Sequence, residues 1–120
     1  MKIFVYGTLM RENYNHERFG FNIKARFLMA TALKGYRLYD LGAFPCIVHT
    51  GSPEDAVLGE VYDVQDKELL RMMKTMEEGA GYTERTVEVG GVAAIAYVFE
   101  DLPPNARPIE SGNWNDVSRR

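Results

Sequence analysis

The sequence predicts an α+β domain, a small mixed β-barrel with few helices. Three observations lead there. Short β-branched and aromatic runs recur along the chain, most of them bounded by glycine or proline. Only the segment after Asp66 spaces its apolar residues clearly as a helix does, and Gly90-Gly91 separates two strand-like runs as a two-residue hairpin turn. Many short strands and few helices bury their apolar faces most simply as a compact mixed sheet, and closure into a barrel is the expectation.

The elements follow in order. Residues 2–6, Lys-Ile-Phe-Val-Tyr, are a strand that Gly7 ends abruptly in a tight loop. Residues 13–18 are polar and fit a short helix stopped by Gly20. Residues 27–39 surround Gly35 as two strands or one kinked strand, and residues 46–50 form another, set apart by the turn signals Gly42 and Pro45. After a polar turn at 51–55 comes a strand over 57–64, with Gly59 as a bulge or close-approach point. Asp66 supplies the N-cap of a helix running to about Glu78, with Gly79 as its stop. Residues 83–89 and 92–99 are the two arms of the hairpin. The tail, about 101–120, is polar and carries Pro103-Pro104, so it is expected to lie over the surface and to fray at Ser118-Arg119-Arg120. Trp114 is its exception, a residue placed to seal the core. No repeat or linker divides the chain, and residues 1–120 are read as one domain.

Composition excludes several functions. Hydrophobic residues at 46% and charged residues at 26% are ordinary for a globular chain, and no apolar run approaches the roughly 20 residues that span a bilayer. No membrane partner is expected. Residues 1–5 carry only Lys2 before the strand and lack the zones of a secretion signal, so a cytoplasmic protein is expected. A net charge of -3 with no basic cluster argues against nucleic acid. The single Cys46 reads as a buried, inert thiol, and with only His16 and His49 beside it no metal site is expected.

The helix after Asp66 carries the first candidate site residue. At about 100° per residue, Leu69, Leu70, Met72, Met73 and Met76 share one apolar face. Glu77 falls inside that face, whereas Glu78 projects among Lys67, Arg71 and Lys74. A carboxyl carried into apolar surroundings needs a partner or an elevated pKa. Helix phase leaves two readings open: a Glu at the stripe's edge reaching solvent or an arginine, or a general acid/base tuned toward neutrality. The loop after the first strand is the second candidate. Gly7 permits backbone angles closed to other residues and lets a ligand approach, so the N–H groups of Gly7, Thr8 and Leu9 could converge on an anion. An ordinary strand-ending turn is the alternative, and no dinucleotide or P-loop motif is present.

Five blocks in sequence order carry a family likeness: Val5-Tyr6-Gly7-Thr8-Leu9 with Asn15-His16, then Phe44-Pro45-Cys46-Ile47-Val48, then Val57-Leu58-Gly59-Glu60-Val61-Tyr62, then Met76-Glu77 leading to Tyr82-Thr83-Glu84-Arg85, and last Ser111-Gly112-Asn113-Trp114. In this arrangement the chain resembles the gamma-glutamylcyclotransferase family, small enzymes that release γ-glutamyl groups as 5-oxoproline. The resemblance implies a mixed α/β barrel with a central cavity, a substrate held by the backbone of Tyr6, Gly7, Thr8 and Leu9, and one essential acid, Glu77. It implies no cofactor. Members usually carry Asp where this chain has Lys74. The pair Glu77-Glu78 leaves the alignment open by one, and helix phase chooses Glu77.

Tyr82 and Arg85 are further candidates for contact with the substrate, with strand packing as their other reading, and Asn15 and His16 are expected to shape the loop. The expected partner is a small γ-glutamyl compound, with the chain acting as a monomer or a weak homodimer. A binding module for a small acidic metabolite is the alternative function; a carboxylate binder has little use for an acid beside its ligand.

Overall fold

The computed structural model describes residues 1–118. In chain order the elements are β1 (Lys2–Val5), α1 (Tyr14–Arg18), α2 (Phe21–Lys24), β2 (Ala25–Lys34), β3 (Tyr36–Asp40), β4 (Pro45–His49), β5 (Ala56–Val64), α3 (Lys67–Gly79), β6 (Thr83–Val89), β7 (Val92–Val98), β8 (Arg107–Pro108) and α4 (Asn115–Ser118). Strand β1 occupies the middle of a five-stranded sheet ordered β2-β5-β1-β7-β6, antiparallel to β5 and parallel to β7. Its composition suits that place, because Ile3, Phe4 and Val5 are all buried, as a strand covered on both faces requires. A three-stranded sheet, ordered β4-β3-β8, makes up the rest.

The α+β class holds, but the expected barrel does not form: the strands divide between two sheets that do not close. Gly35, at φ +85°, turns the chain out of β2 and into β3, so residues 27–39 contribute to two different sheets. At the far side of the large sheet, its outer strands β2 and β6 meet through side chains and make no ladder. The β2 register against β5 shifts between Phe27 and Met29, and a Cβ on Gly90, in the β6–β7 turn, would collide with Met29 Sδ. At that seam the Met29 side chain lies against the hairpin backbone, and no strand ladder joins β2 to β6.

The local expectations fared unevenly. The hairpin forms as expected, with Gly90 and Gly91 at φ +58° and +80°, the turn that matches strand twist. Gly59 pairs in register with Thr31, so it is not a bulge. It is a close-approach point, because a Cβ there would strike the Val5 carbonyl and the Phe4 ring. The short helix α2 follows Gly20, which had been read only as a stop. Helix α3 begins as expected, with Asp66 Oδ1 accepting from Leu69 N at 2.8 Å. It buries Leu69 and Met73, each side chain contributing about 2 kcal/mol through burial, while Met72, assigned to the apolar face, is 40% exposed.

The tail is held more firmly than its composition suggests. Strand β8 pairs with β3, Ile109 N donates to Leu38 O at 2.9 Å, and Gly112 O accepts from Leu58 N at 2.8 Å. Ile109 and Trp114 are buried in the core. The expected fraying at Arg119 and Arg120 lies outside the described residues. Among the described residues no helix is long and apolar enough to cross a membrane.

Candidate active site

The loop leaving β1 is built from behind by its own carbonyls. Gly7 O accepts from Met10 N at 3.1 Å, Thr8 O from Asn15 N at 3.0 Å, and Leu9 O faces His16 Nδ1 at 2.8 Å. Asn15 Nδ2 also donates to Thr8 Oγ1 at 2.9 Å, and the His16 ring sits between Phe21 and Tyr62. Asn15 and His16 thus brace the loop, as their place in the sequence led one to expect. The reason for Gly7 differs from the expected one. Its φ is not in the left-handed region; the constraint is space, because the Pro45 ring stands 2.8 Å from the position a Cβ would take. Backbone and proline ring touch there, which ties the loop to the start of β4.

A cavity of about 250 Å³ opens beside this loop, and Tyr6, Gly7, Thr8, Leu9, Glu77 and Tyr82 all line it. Glu77 arrives from the last turn of α3, while Glu78 is exposed, so helix phase distinguished the two correctly. Burial among apolar neighbours such as Met73, Met76 and Phe4 raises the Glu77 carboxyl to about 7. A carboxyl at that value exchanges a proton readily near neutral pH.

The end of α3 fixes Tyr82 relative to Glu77. Ala80 caps the helix and Gly81 takes φ +98°; Tyr82 N donates to Glu77 O at 3.0 Å and Gly81 N to Glu78 O at 3.1 Å. This is a Schellman closure, so the stop lies two residues beyond the expected Gly79, which remains helical. The Tyr82 hydroxyl then donates to Pro45 O at 2.5 Å, and the ring packs edge-on against Phe99. Across the cavity the Tyr6 hydroxyl donates to Tyr97 O at 2.7 Å. Burial, with Glu77 and Cys46 nearby, holds both phenols well above their ordinary range, so each remains a neutral donor. Cys46 is buried as expected, and burial pushes its thiol up to about 11.

Arg85 is not brought to this cavity. Tyr97, which lines it, pairs across the hairpin with Glu84, and alternation along β6 turns the next residue to the opposite face. There the Arg85 guanidinium pairs with Glu100 on the exposed side. Sequence reasoning also left Tyr97, Asn15, Phe44, Pro45, Met76 and Ala80 out of the site they line. Asn15, Phe44, Pro45 and Met76 lay inside the matching blocks, but nothing local marked which of those side chains would meet Glu77. Among the described residues no three His, Cys, Asp or Glu side chains come together as a metal would require.

Comparison with known proteins places the fold in company. A profile described as gamma-glutamyl cyclotransferase, AIG2-like, matches residues 3–116. The chain is 29% identical over 116 residues to the gamma-glutamylcyclotransferase family protein YtfP of Escherichia coli, covering 97% of each. Its structure is similar to that of an uncharacterized protein from Pyrococcus horikoshii, with a TM-score of 0.81 and 28% identity over 99% of this chain and 93% of that one. A mouse AIG2-like protein is similar at a TM-score of 0.72 and 26% identity, covering 86% of this chain and 79% of the other.

Proposed function

The chain belongs to the gamma-glutamyl cyclotransferase, AIG2-like family, and from that premise we propose that it converts a γ-glutamyl amine into 5-oxoproline and the free amine. The observation that carries this reading is Glu77, a carboxyl raised to about 7 in the cavity that the Tyr6–Leu9 segment also lines.

The substrate is its own nucleophile. Its α-amine nitrogen attacks its γ-carbonyl carbon, forming the C–N bond of a five-membered ring, and tethering supplies the effective molarity of an intramolecular reaction. The ionised Glu77 carboxylate takes the proton that the attacking nitrogen must lose. Charge moves onto the carbonyl oxygen, where the N–H groups of Gly7, Thr8 and Leu9 serve as donors; the carbonyls of that segment are already engaged by residues 10, 15 and 16. Protonated Glu77 then returns the proton to the departing nitrogen as its bond to carbon breaks. No water is consumed, and the carboxyl ends in the state in which it began. A pKa near 7 suits both halves of that cycle, because a strongly acidic group would accept the proton poorly.

The test is to incubate the purified protein with a panel of γ-glutamyl amines and to separate 5-oxoproline from free glutamate. Cyclotransfer yields 5-oxoproline and an equal amount of amine. Free glutamate would indicate hydrolysis, and binding without either product would leave a metabolite-binding module.

A further inference from the structure

The cyclotransfer cycle leaves one buried carboxylate without a task. Glu60, on β5, is 9% exposed and does not line the cavity that holds Glu77. In the β1–β5 ladder it stands opposite Val5, the last residue of β1. Its side chain meets Arg11, the residue at which the loop returns: Arg11 N donates to Glu60 Oε1 at 2.9 Å, and Arg11 Nε to Glu60 Oε2 at 3.0 Å. One residue of β5 therefore holds both ends of the segment 6–10, through strand register where it leaves β1 and through a carboxylate where it comes back. The grip is itself fixed. Tyr62, two positions along β5 and on the same face, donates its hydroxyl to Glu60 Oε1 at 2.9 Å, and the Arg11 guanidinium lies 3.9 Å from the centroid of the Phe27 ring.

We infer that Glu60 is a positioning residue for the reaction: it fixes the exit of the loop whose Gly7, Thr8 and Leu9 N–H groups meet the oxyanion. This inference rests on the cyclotransfer reading above. Asn15 and His16 brace the loop from behind, at the carbonyls of Thr8 and Leu9, whereas Glu60 sets the separation of its two ends. Donors to a developing oxyanion help only when they are already in place, and a small displacement of them is felt in the rate. The position calls for a carboxylate. An amide there has one acceptor oxygen and would turn its N–H2 group toward the Arg11 backbone N–H or toward Arg11 Nε, donor against donor.

The test pairs nitrogen-15 relaxation of the backbone amides with turnover. Glu60→Gln should lower the order parameters of the Gly7, Thr8 and Leu9 amides and leave those of Phe4 and Val5 as they were. It should also lower kcat about tenfold, with KM changed far less and the activity midpoint still near 7, because Glu77 is untouched. Arg11→Met keeps the backbone bond to Glu60 and removes the side-chain one, so it should give a smaller drop in both readouts; it carries the test alone if Glu60→Gln does not fold. Asp66→Ala, which weakens the fold at a distance from the loop, should change neither readout and so separates a general loss of stability from a loosened loop. Loop order parameters that match the parent's, or a kcat that holds in both variants, overturn the role. If no γ-glutamyl amine is turned over by the parent, the cyclotransfer reading fails, and relaxation alone decides whether Glu60 orders the loop: a drop confined to residues 7–9 supports it, and no drop overturns it.

Discussion

Glu77 gains its character from burial, and the sign of the effect can be followed with pH. Its carboxyl titrates near 4.5 in an unstructured chain and near 7 in the fold. Below 4.5 both states hold the proton and no penalty exists. Between 4.5 and 7 the unfolded chain releases the proton while the fold retains it, so stability falls as pH rises and levels off above 7. The protein should therefore lose up to about 3 kcal/mol relative to Glu77→Gln between pH 4 and pH 8, measured by denaturant melts of both proteins. Activity should run the opposite way, rising through a midpoint near 7 as the carboxylate base forms, and Glu77→Gln should lower kcat roughly 100-fold or more. A second residue acts at a distance. Tyr82 commits its hydroxyl to the Pro45 carbonyl, and Pro45 abuts Gly7, so Tyr82 positions the loop and its proton is not free for substrate. Tyr82→Phe should cost about 1 kcal/mol of stability and lower kcat about tenfold. Its activity midpoint should stay near that of the parent, which a pH–rate profile would establish.

At the scale of elements, helix α3 sets the geometry, and its two ends have different consequences. Asp66 caps the start, far along the helix from the acid, and Asp66→Ala should cost about 1 kcal/mol with turnover retained. Gly81 closes the other end in the left-handed region, between Glu77 and Tyr82. Gly81→Ala should cost a similar amount, about 1–2 kcal/mol, and should reduce kcat as well, because straining this turn moves both side chains at once. Denaturant melts paired with turnover assays separate the two effects. Much of this helix was legible in advance: the cap, the apolar phase and the inward turn of Glu77 are all short-range patterns. The stop was misplaced by two residues because Gly79 and Gly81 look alike in sequence, and only backbone hydrogen bonding shows which one turns left-handed.

At the scale of the molecule, the tail joins the two sheets. Strand β8 lies on β3, while the Gly112 carbonyl accepts from Leu58 in β5, and Trp114, at 3% exposure, plugs the core beneath. Trp114→Ala should destabilise the fold by about 3–5 kcal/mol, read as a lower denaturation midpoint. In hydrogen exchange the Ile109 amide, bonded to Leu38 O, should lose protection in that variant. Polar composition and Pro103-Pro104 had suggested a loosely lying segment. Its few apolar residues do the anchoring, and the sequence alone does not tell which surface they find.

Taken alone, the sequence determined what depends on near neighbours: where most of the longer strands and the long helix run, the hairpin at Gly90-Gly91, and that Glu77 and not Glu78 faces inward. Tertiary structure alone decided that the sheets stay open, that Arg85 turns outward to Glu100, that Gly7 is demanded by the Pro45 ring, and that Tyr82 reaches Pro45 across 37 positions. The reason is physical. Periodicity states which side of an element is apolar, whereas the partner on that side is chosen by packing between segments far apart in the chain, and that choice leaves no local pattern.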